Sequence, residues 1–317
     1  MDRSASSPAA PLLVLAAAAL WGTTGTAQAL GGAGDPVVVA AARLVVGSTA
    51  LALVVVVTGG TGALVRCLRP PSLAWTLTAA VATAIFQAAF FSAVATTGVT
   101  TGTVVALGTA PVATGLCAAA FFSEPLTRRW AGATVLAVTG CTVLVGAAGP
   151  GASTVEPAGV VLAVVAGTCY GLYTTAAKAL LEQGVPVVAA VTTTLGLGAV
   201  TLAPVLVLRA GELAGARPLL MVAWLGLATT AAAYLLFAYG LRRLPAATVG
   251  TLSLAEPLTA ATLGLVVLGE RPGPWAVAGG LCLLLGLVLV ALRPHRTGAG
   301  VVATPRPTTT TGEQDLP

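Results

Sequence analysis

Charged side chains are scarce in this 317-residue chain, where only 8% of the residues are Asp, Glu, Lys or Arg and 57% are hydrophobic. Ordinary soluble domains carry roughly 25% charged and 45–50% apolar residues. A chain of this composition cannot cover itself with charge, which excludes a water-soluble globular fold. The composition therefore indicates a protein whose surface faces the hydrocarbon of a lipid bilayer.

Residues that carry most enzyme and metal chemistry are also nearly missing. The chain has one histidine, His295, one lysine and no asparagine, and its five cysteines show no metal-ligand spacing. Four of the cysteines lie in apolar segments, where packing explains them and no disulfide is expected. These shortages disfavour a lipid-modifying enzyme, a metal site, another cofactor, and a channel with a carbonyl filter or an asparagine-lined pore.

Apolar segments of about 20 residues, the length that crosses a bilayer as a helix, follow one another along the chain. They do not alternate apolar and polar residues as the strands of a membrane β-barrel do. The predicted fold class is therefore an all-α membrane protein with ten transmembrane helices. The predicted spans are residues 12–30, 37–57, 73–94, 99–122, 130–148, 158–181, 186–208, 218–240, 246–268 and 273–292.

The first apolar segment has an alternative interpretation as a signal peptide, because Ala27-Gln28-Ala29 resembles a cleavage site. Cleavage there would leave nine helices. It would also destroy the internal symmetry described below, which favours the transmembrane interpretation.

Basic residues fall mainly on one side of the predicted spans. Lys and Arg in short loops stay cytoplasmic, and an inside N-terminus puts eleven of them in the cytoplasm and three outside, with Arg43 within a span. Both termini are therefore predicted to be cytoplasmic, in the cytoplasmic membrane of a bacterium. The formal charge of +5 then needs no nucleic-acid partner. Residues 1–11 form the predicted N-terminal segment, and residues 293–317 a disordered tail.

The chain resembles itself when it is shifted by 146 residues. The shift pairs Pro111 with Pro257, Glu124 with Glu270, Gly140 with Gly286 and Phe91 with Phe237. A slightly larger shift pairs Trp21-Gly22 with Tyr170-Gly171. Each half, residues 12–148 and 158–292, then contains five spans, with a linker at 149–157. Because five is odd, the second half must enter the membrane from the opposite side, which predicts two inverted five-helix repeats.

These residues and their spacing resemble the EamA-type proteins of the drug/metabolite transporter superfamily over about residues 12–292. The residues that carry the resemblance are Trp21-Gly22, Arg43, Pro111, Phe121-Phe122-Ser123-Glu124, Glu256-Pro257 and Leu268-Gly269-Glu270. The chain departs from the pattern in having Tyr170 instead of a second tryptophan. The resemblance implies a secondary transporter that exports amino acids, related metabolites or drugs by alternating access. An uptake carrier and a non-transporting membrane assembly or sensor protein are the alternatives.

Two prolines fall in the middle of predicted spans. A proline inside a helix removes a backbone donor and displaces the carbonyl four residues earlier, which predicts displaced carbonyls at Leu107 and Ser253. At this depth such carbonyls need a neighbouring helix or a water-filled cavity. Pro111 and Pro257 therefore point to a substrate site at the midplane, although a packing kink explains each of them as well.

Glu256 and Arg43 are the charged residues predicted to lie deepest in the membrane. Glu256 has no acidic counterpart, because Ala110 occupies the equivalent position, and a carboxyl at this depth must be neutralised, paired or hydrated. It is suited to reversible proton uptake, to a cationic amine, or to a hydrogen-bonded structural role. Arg43 either extends to the membrane surface or faces a cavity, where it would pair with Glu256 or bind a substrate carboxylate.

Further polar and aromatic side chains recur at helical spacing and predict the lining of a cavity, although packing explains any one of them. With Glu256 and Arg43, the predicted substrate-binding residues are Trp21, Gln28, Gln87, Tyr170, Tyr173, Tyr234 and Ser253; Thr24, Phe91 and Phe237 accompany them. Glu124 and Glu270 end two spans beside arginines, as surface ion pairs or as gates. The sequence does not identify the substrate or the coupling ion, nor does it decide whether the protein forms a homodimer.

Overall fold

A computed structural model of the chain describes residues 9–32, 35–147 and 156–292, and all regular secondary structure in these residues is helical. Ten helical segments are long and apolar enough to cross a membrane. They are α1 (Ala9–Gly31), α2 (Pro36–Val57), α3 (Ser72–Gly98), α4 (Thr100–Phe122), α5 (Arg128–Gly146), α6 (Pro157–Glu182), α7 (Val187–Arg209), α8 (Ala216–Leu241), α9 (Ala246–Val267) and α10 (Pro274–Ala291). The prediction of ten helices is confirmed. The predicted tail at 293–317, most of the linker at 149–157 and most of the N-terminal segment lie outside the described residues.

Local sequence signals set where several helices begin. Asp35 caps α2, where its carboxylate accepts hydrogen bonds from the N–H groups of Val37 (2.9 Å) and Val38 (3.3 Å). The hydroxyl of Thr127 accepts the N–H of Trp130 at the start of α5. Proline occupies the first position of α2, α6 and α10, where a missing N–H removes no hydrogen bond.

The helices depart from regular α-helical geometry at three places. α3 and α4 are joined almost directly, through Gly98 with a φ of 83°, a conformation that favours glycine. α8 contains a π-helical segment, Leu225–Ala232, in which the Thr230 hydroxyl donates to the carbonyl of Leu225, five residues earlier. α9 is interrupted in mid-membrane, since it consists of Ala246–Leu252 and Ala255–Val267 joined by a tight turn.

The main helix contacts join the first five helices to the last five. α1 packs against α8 and α9, and α6 packs against α3 and α4. α2 packs against α7, and α5 against α10, across the boundary between the halves. α6 is the most enclosed helix, and every residue from Tyr173 to Leu181 is buried. The surroundings of α6 therefore hold the centre of the molecule, while exposed leucines and valines of the other helices face outwards.

Glycines make the contacts between the halves close and reciprocal. A Cβ added at Gly286 would lie 2.6 Å from the backbone nitrogen of Ala137, and one added at Gly140 would lie 2.7 Å from Cα of Leu283. Leu283 follows Ala137 by the same 146 residues that separate Gly286 from Gly140. The α5–α10 interface therefore contains a pair of close contacts whose residues are related by the 146-residue shift.

Candidate functional site

A cavity of about 570 Å³ lies among α1, α2, α3, α4, α6, α8 and α9. This volume falls in the range of sites for small molecules, about 300–1,000 Å³. The lining runs from Tyr170 and Glu256 in mid-span to Gln28, Asp35 and Val94 at helix ends. We call the membrane face where α1 and α3 end and α2 and α4 begin face A, and the opposite one face B. The cavity therefore reaches face A.

The structure brings the predicted site residues together. Eight of the nine predicted substrate-binding residues line this cavity, namely Trp21, Gln28, Arg43, Gln87, Tyr170, Tyr173, Tyr234 and Glu256. The ninth, Ser253, is buried behind the wall and accepts a hydrogen bond of 2.7 Å from the hydroxyl of Tyr170. Thr24 and Phe91 also line the cavity. Their part in binding a substrate stays a prediction.

Five aromatic rings from three helices form one wall of the site. Trp21 of α1 lies 5.3 Å from Tyr234 and 5.4 Å from Phe237 of α8, measured between ring centroids. Tyr173 of α6 lies 5.7 Å from Tyr234, and Tyr170 lies 6.3 Å from Phe237. Phe237 is fully buried behind the other rings, so it supports the wall and does not line the cavity. Edge-to-face packing of this kind holds the tyrosine hydroxyls in fixed positions.

Arg43 and Glu256 present opposite charges to the same cavity without forming an ion pair. Arg43 lies seven residues into α2 and Glu256 ten residues into α9, depths of roughly 10 and 15 Å at 1.5 Å per residue. Among the ion pairs of the described residues, none joins these two side chains. Nε of Arg43 is buried and has no hydrogen-bond partner, so this donor is available to a molecule that enters the cavity.

The two mid-span prolines lie beside the cavity but have different effects. α4 continues through Pro111. Leu107, whose carbonyl would otherwise accept a hydrogen bond from position 111, lines the cavity. In α9 the helix is interrupted before Pro257, which occupies the first turn of the second segment, where proline is tolerated. The carbonyl of Ser253, four residues before Pro257, accepts the N–H of Glu256 at 3.1 Å. The interruption turns the backbone so that Glu256 lines the cavity.

Asp35 is a charged residue of the cavity mouth that sequence reasoning did not place there. Besides capping α2, its carboxylate lies 3.1 Å from Nη1 of Arg209, at the end of α7. Partial burial would raise the pKa of Asp35, but the hydrogen bonds from Val37 and Val38 and the nearby guanidinium outweigh it and lower this pKa. The mouth at face A therefore carries a pair of opposite charges, Asp35 and Arg209. Asp followed by Pro is a local signal for a helix start, but no local signal indicates a partner so distant in the chain.

Two phenylalanines of α3 were also missed. Phe86 and Phe90 line the cavity and stack on each other, with centroids 5.7 Å apart and planes 7° from parallel. Their spacing of four residues puts them on one helix face together with Gln87 and Phe91. That spacing was the available signal, since it joins them to two residues already predicted.

The two predicted gate residues have different environments. The carboxylate of Glu124 accepts the N–H groups of Ala246 (2.9 Å) and Ala247 (3.3 Å), at the start of α9. The carboxylate of Glu270, which follows the end of α9, instead lies against Gly264 of that helix. The sequence suggests as ion-pair partners Arg128, Arg129 and Arg271. Within the described residues neither glutamate pairs with any of them, so the interpretation as surface ion pairs is wrong.

A bundle of ten membrane-spanning helices around a polar and aromatic cavity reaching one face is the architecture of a membrane transporter. A model of the EamA-like transporter family matches residues 9–146 and again residues 157–292. The chain belongs to this family, which is part of the drug/metabolite transporter superfamily. Membership in a transporter family argues for a protein that moves solutes and is not an enzyme.

Individual relatives agree with this assignment. The chain is 37% identical over 289 residues to a Bacillus subtilis (strain 168) protein named as the uncharacterized transporter YwfM. The alignment covers 90% of this chain and 94% of that protein. It is also 37% identical over 67 residues to the putative permease-like protein YdzE of the same strain, covering 21% of this chain and 86% of that one. A solved crystal structure superposes with a TM-score of 0.76 at 20% identity, over 89% of this chain and 96% of the other. This last similarity supports the fold.

Proposed function

We propose that the protein is an alternating-access exporter of amino acids or related small zwitterionic metabolites in the cytoplasmic membrane, with proton coupling through Glu256. The observation that carries this proposal is the pair of unpaired opposite charges, Arg43 and Glu256, in one aromatic-walled cavity within the membrane.

The two charges are complementary to the two ends of an amino acid. The guanidinium of Arg43 offers a planar fork of donors that matches a carboxylate. The carboxylate of Glu256 is suited to an ammonium group or, when no substrate is bound, to a proton. The aromatic wall then contacts the substrate side chain. A zwitterion would satisfy both charged side chains at once, which water or a single ion would not.

An inverted arrangement of the two halves, which the 146-residue shift predicts, would allow alternating access. The family model matches two segments of five spans each, and the α5–α10 contacts are reciprocal under the 146-residue shift. Two such halves exchange conformations when the bundle rocks about a central site, so a cavity that reaches face A in one state reaches face B in the other. With both termini cytoplasmic, as the basic residues indicate, face A is the outer face. The present state is then the one that releases an exported substrate.

Transport into proteoliposomes tests the substrate and the coupling together. Purified protein is reconstituted and screened with labelled amino acids, with and without an imposed pH gradient. Glu256→Gln is expected to abolish stimulation by the gradient, and Arg43→Gln to abolish saturable transport of carboxylate-bearing substrates. Matched controls are Glu156→Gln and Arg217→Gln, which change the same groups at exposed positions outside the cavity. Counterflow from liposomes loaded on either side separates export from uptake.

Two results would overturn the proposal. One is gradient-driven flux that survives Glu256→Gln unchanged, which would remove Glu256 from coupling. The other is equal loss of transport in Arg43→Gln and Arg217→Gln, which would show a general effect of charge and not a site in the cavity.

A further inference from the structure

Lys178, the single lysine of the chain, is buried in α6, where only 8% of it is exposed. Its Nζ donates to the carbonyls of Leu241 and Leu244, each at 2.9 Å, at the end of α8. The nearest carboxylate, that of Glu182, is half exposed and lies 3.8 Å away. A buried ammonium within a membrane span is costly, so its contacts with these carbonyls have to compensate for the lost hydration.

Glu124 holds the other side of the same connection. The segment 241–247 contains the end of α8 and the start of α9, and Glu124 accepts the N–H groups of Ala246 and Ala247. A cation near the C-terminal end of one helix and a carboxylate near the N-terminal end of the next each interact favourably with the helix dipole. Two oppositely charged side chains, from α6 and α4, therefore hold this connection from two sides.

The α3–α4 connection at face A corresponds to this segment but lacks these side-chain contacts. The 146-residue shift carries Glu124 to Glu270, and Ala246 and Ala247 to Thr100 and Thr101 at the start of α4. The backbone hydrogen bonds at the two glutamates match. The N–H of Glu124 donates to the carbonyl of Ala118, and the N–H of Glu270 donates to the carbonyl of Gly264, which lies 146 residues after Ala118. The carboxylate of Glu270, however, makes no hydrogen bond to another described residue and lies against Gly264. The larger shift that relates α1 to α6 places Ala29 opposite Lys178, so face A lacks the cation as well.

Segment 241–247 closes the cavity at face B, whereas the α3–α4 connection borders its open mouth at face A. The cavity lining includes Val94, Ala95 and Thr103, on either side of the α3–α4 connection, and no residue of the segment 241–247. We propose that Lys178 and Glu124 form a clamp on segment 241–247 that closes the site to face B. We infer that in the opposite state this clamp opens and Glu270 binds the start of α4. This inference rests on the proposed alternating-access function.

Thiol accessibility tests the clamp without any need for a substrate. Cys169 lines the cavity and serves as the reporter after alanine replaces the other cysteines, Cys67, Cys117, Cys141 and Cys282. A membrane-impermeant thiol reagent is added to vesicles of either orientation. The parent is expected to react from face A. Lys178→Met and Glu124→Gln are each expected to raise the reaction rate from face B on the order of tenfold or more, which is what loss of charged hydrogen bonds does to a two-state equilibrium.

Control variants separate the clamp from a general effect of charge. Glu182→Gln removes a neighbouring, exposed carboxylate and is expected to leave both rates at the parent values. Adding Glu270→Gln to Lys178→Met is expected to reduce the reaction from face B, because the opposite state loses its own carboxylate contact. Lys178→Met and Glu124→Gln remove opposite sides of the clamp, so one variant decides if the other does not fold.

The clamp is wrong if the folded variants still react only from face A, or if Glu182→Gln opens face B to the same degree. These outcomes differ from failure of the transport function itself. Accessibility is read without flux, so a transporter whose clamp variants label like the parent would keep its proposed function and lose only this gate.

Discussion

Replacing Gly22 by alanine should destabilise the protein through one contact between α1 and α9. A Cβ at Gly22 would lie 2.6 Å from the carbonyl oxygen of Glu256, 2.7 Å from Cβ of Thr259 and 3.1 Å from the backbone nitrogen of Ala260. Two of these three atoms belong to the backbone of α9, so a side chain cannot simply rotate away. Overpacking of this kind costs about 1–3 kcal/mol. We expect Gly22→Ala to lie at the upper end of that range, because α1 and α9 must separate along their length.

Gly25→Ala is the matched control, since it lies one helical turn further along α1 and a Cβ there meets no atom within 4 Å. Alanine is the better helix former, by up to about 1 kcal/mol, so this control should be neutral or slightly stabilising. The assay is thermal unfolding of detergent-purified protein, followed by the fraction that remains monodisperse after heating. Equal midpoints for the two variants would refute the packing argument, because they would show that α1 and α9 are not in backbone contact.

Three further predictions concern other contacts. Gly140→Ala and Gly286→Ala should lower thermal stability by similar amounts, because each Cβ enters the equivalent backbone contact of the α5–α10 interface; a large difference would contradict the reciprocal packing. Tyr170→Phe and Ser253→Ala should each cost about 1 kcal/mol, and the double variant should cost less than their sum, since both remove one hydrogen bond of 2.7 Å. Asp35→Asn should flatten the acid end of the stability profile. The native Asp35 has a lowered pKa, so its contribution is present above about pH 4 and is lost as the pH falls through the folded value.

The sequence was sufficient to predict the ten helices and most of the polar and aromatic side chains that line the cavity. Helix length and apolar composition are local properties, so the spans were found to within four residues at their ends. The cavity residues were predictable because aromatic, amide and charged side chains are scarce in the spans and recur at helical spacing, as with Tyr170 and Tyr173. Where most neighbours are Ala, Val, Leu, Gly or Thr, each such side chain is informative.

Contacts between distant segments could not be predicted from local sequence patterns. Arg209 was counted only as a charge in an outer loop, yet it pairs with Asp35 at the cavity mouth. Lys178 was counted only as a charge at the end of a span, and its two carbonyl partners lie in another helix. The face that the cavity reaches was also unpredictable, because the two halves are so similar that the sequence favours neither direction. Such features depend on how the helices pack and not on the composition of any one of them.

The interruption of α9 has a mechanical consequence for the proposed clamp. Lys178 and Glu124 act on segment 241–247, which continues into the short helix Ala246–Leu252, whereas Glu256 belongs to the separate helix Ala255–Val267. An unbroken helix would transmit any displacement of its first turn directly to the site. Because the turn at Ser253 and Leu254 separates the two parts, the clamped part can move at face B while Glu256 stays in the cavity. α4 continues through Pro111, so in that helix movement at either end is transmitted to the midplane. The two equivalent helices would thus serve different purposes: α9 would open face B independently of the site, and α4 would move the cavity wall as a unit.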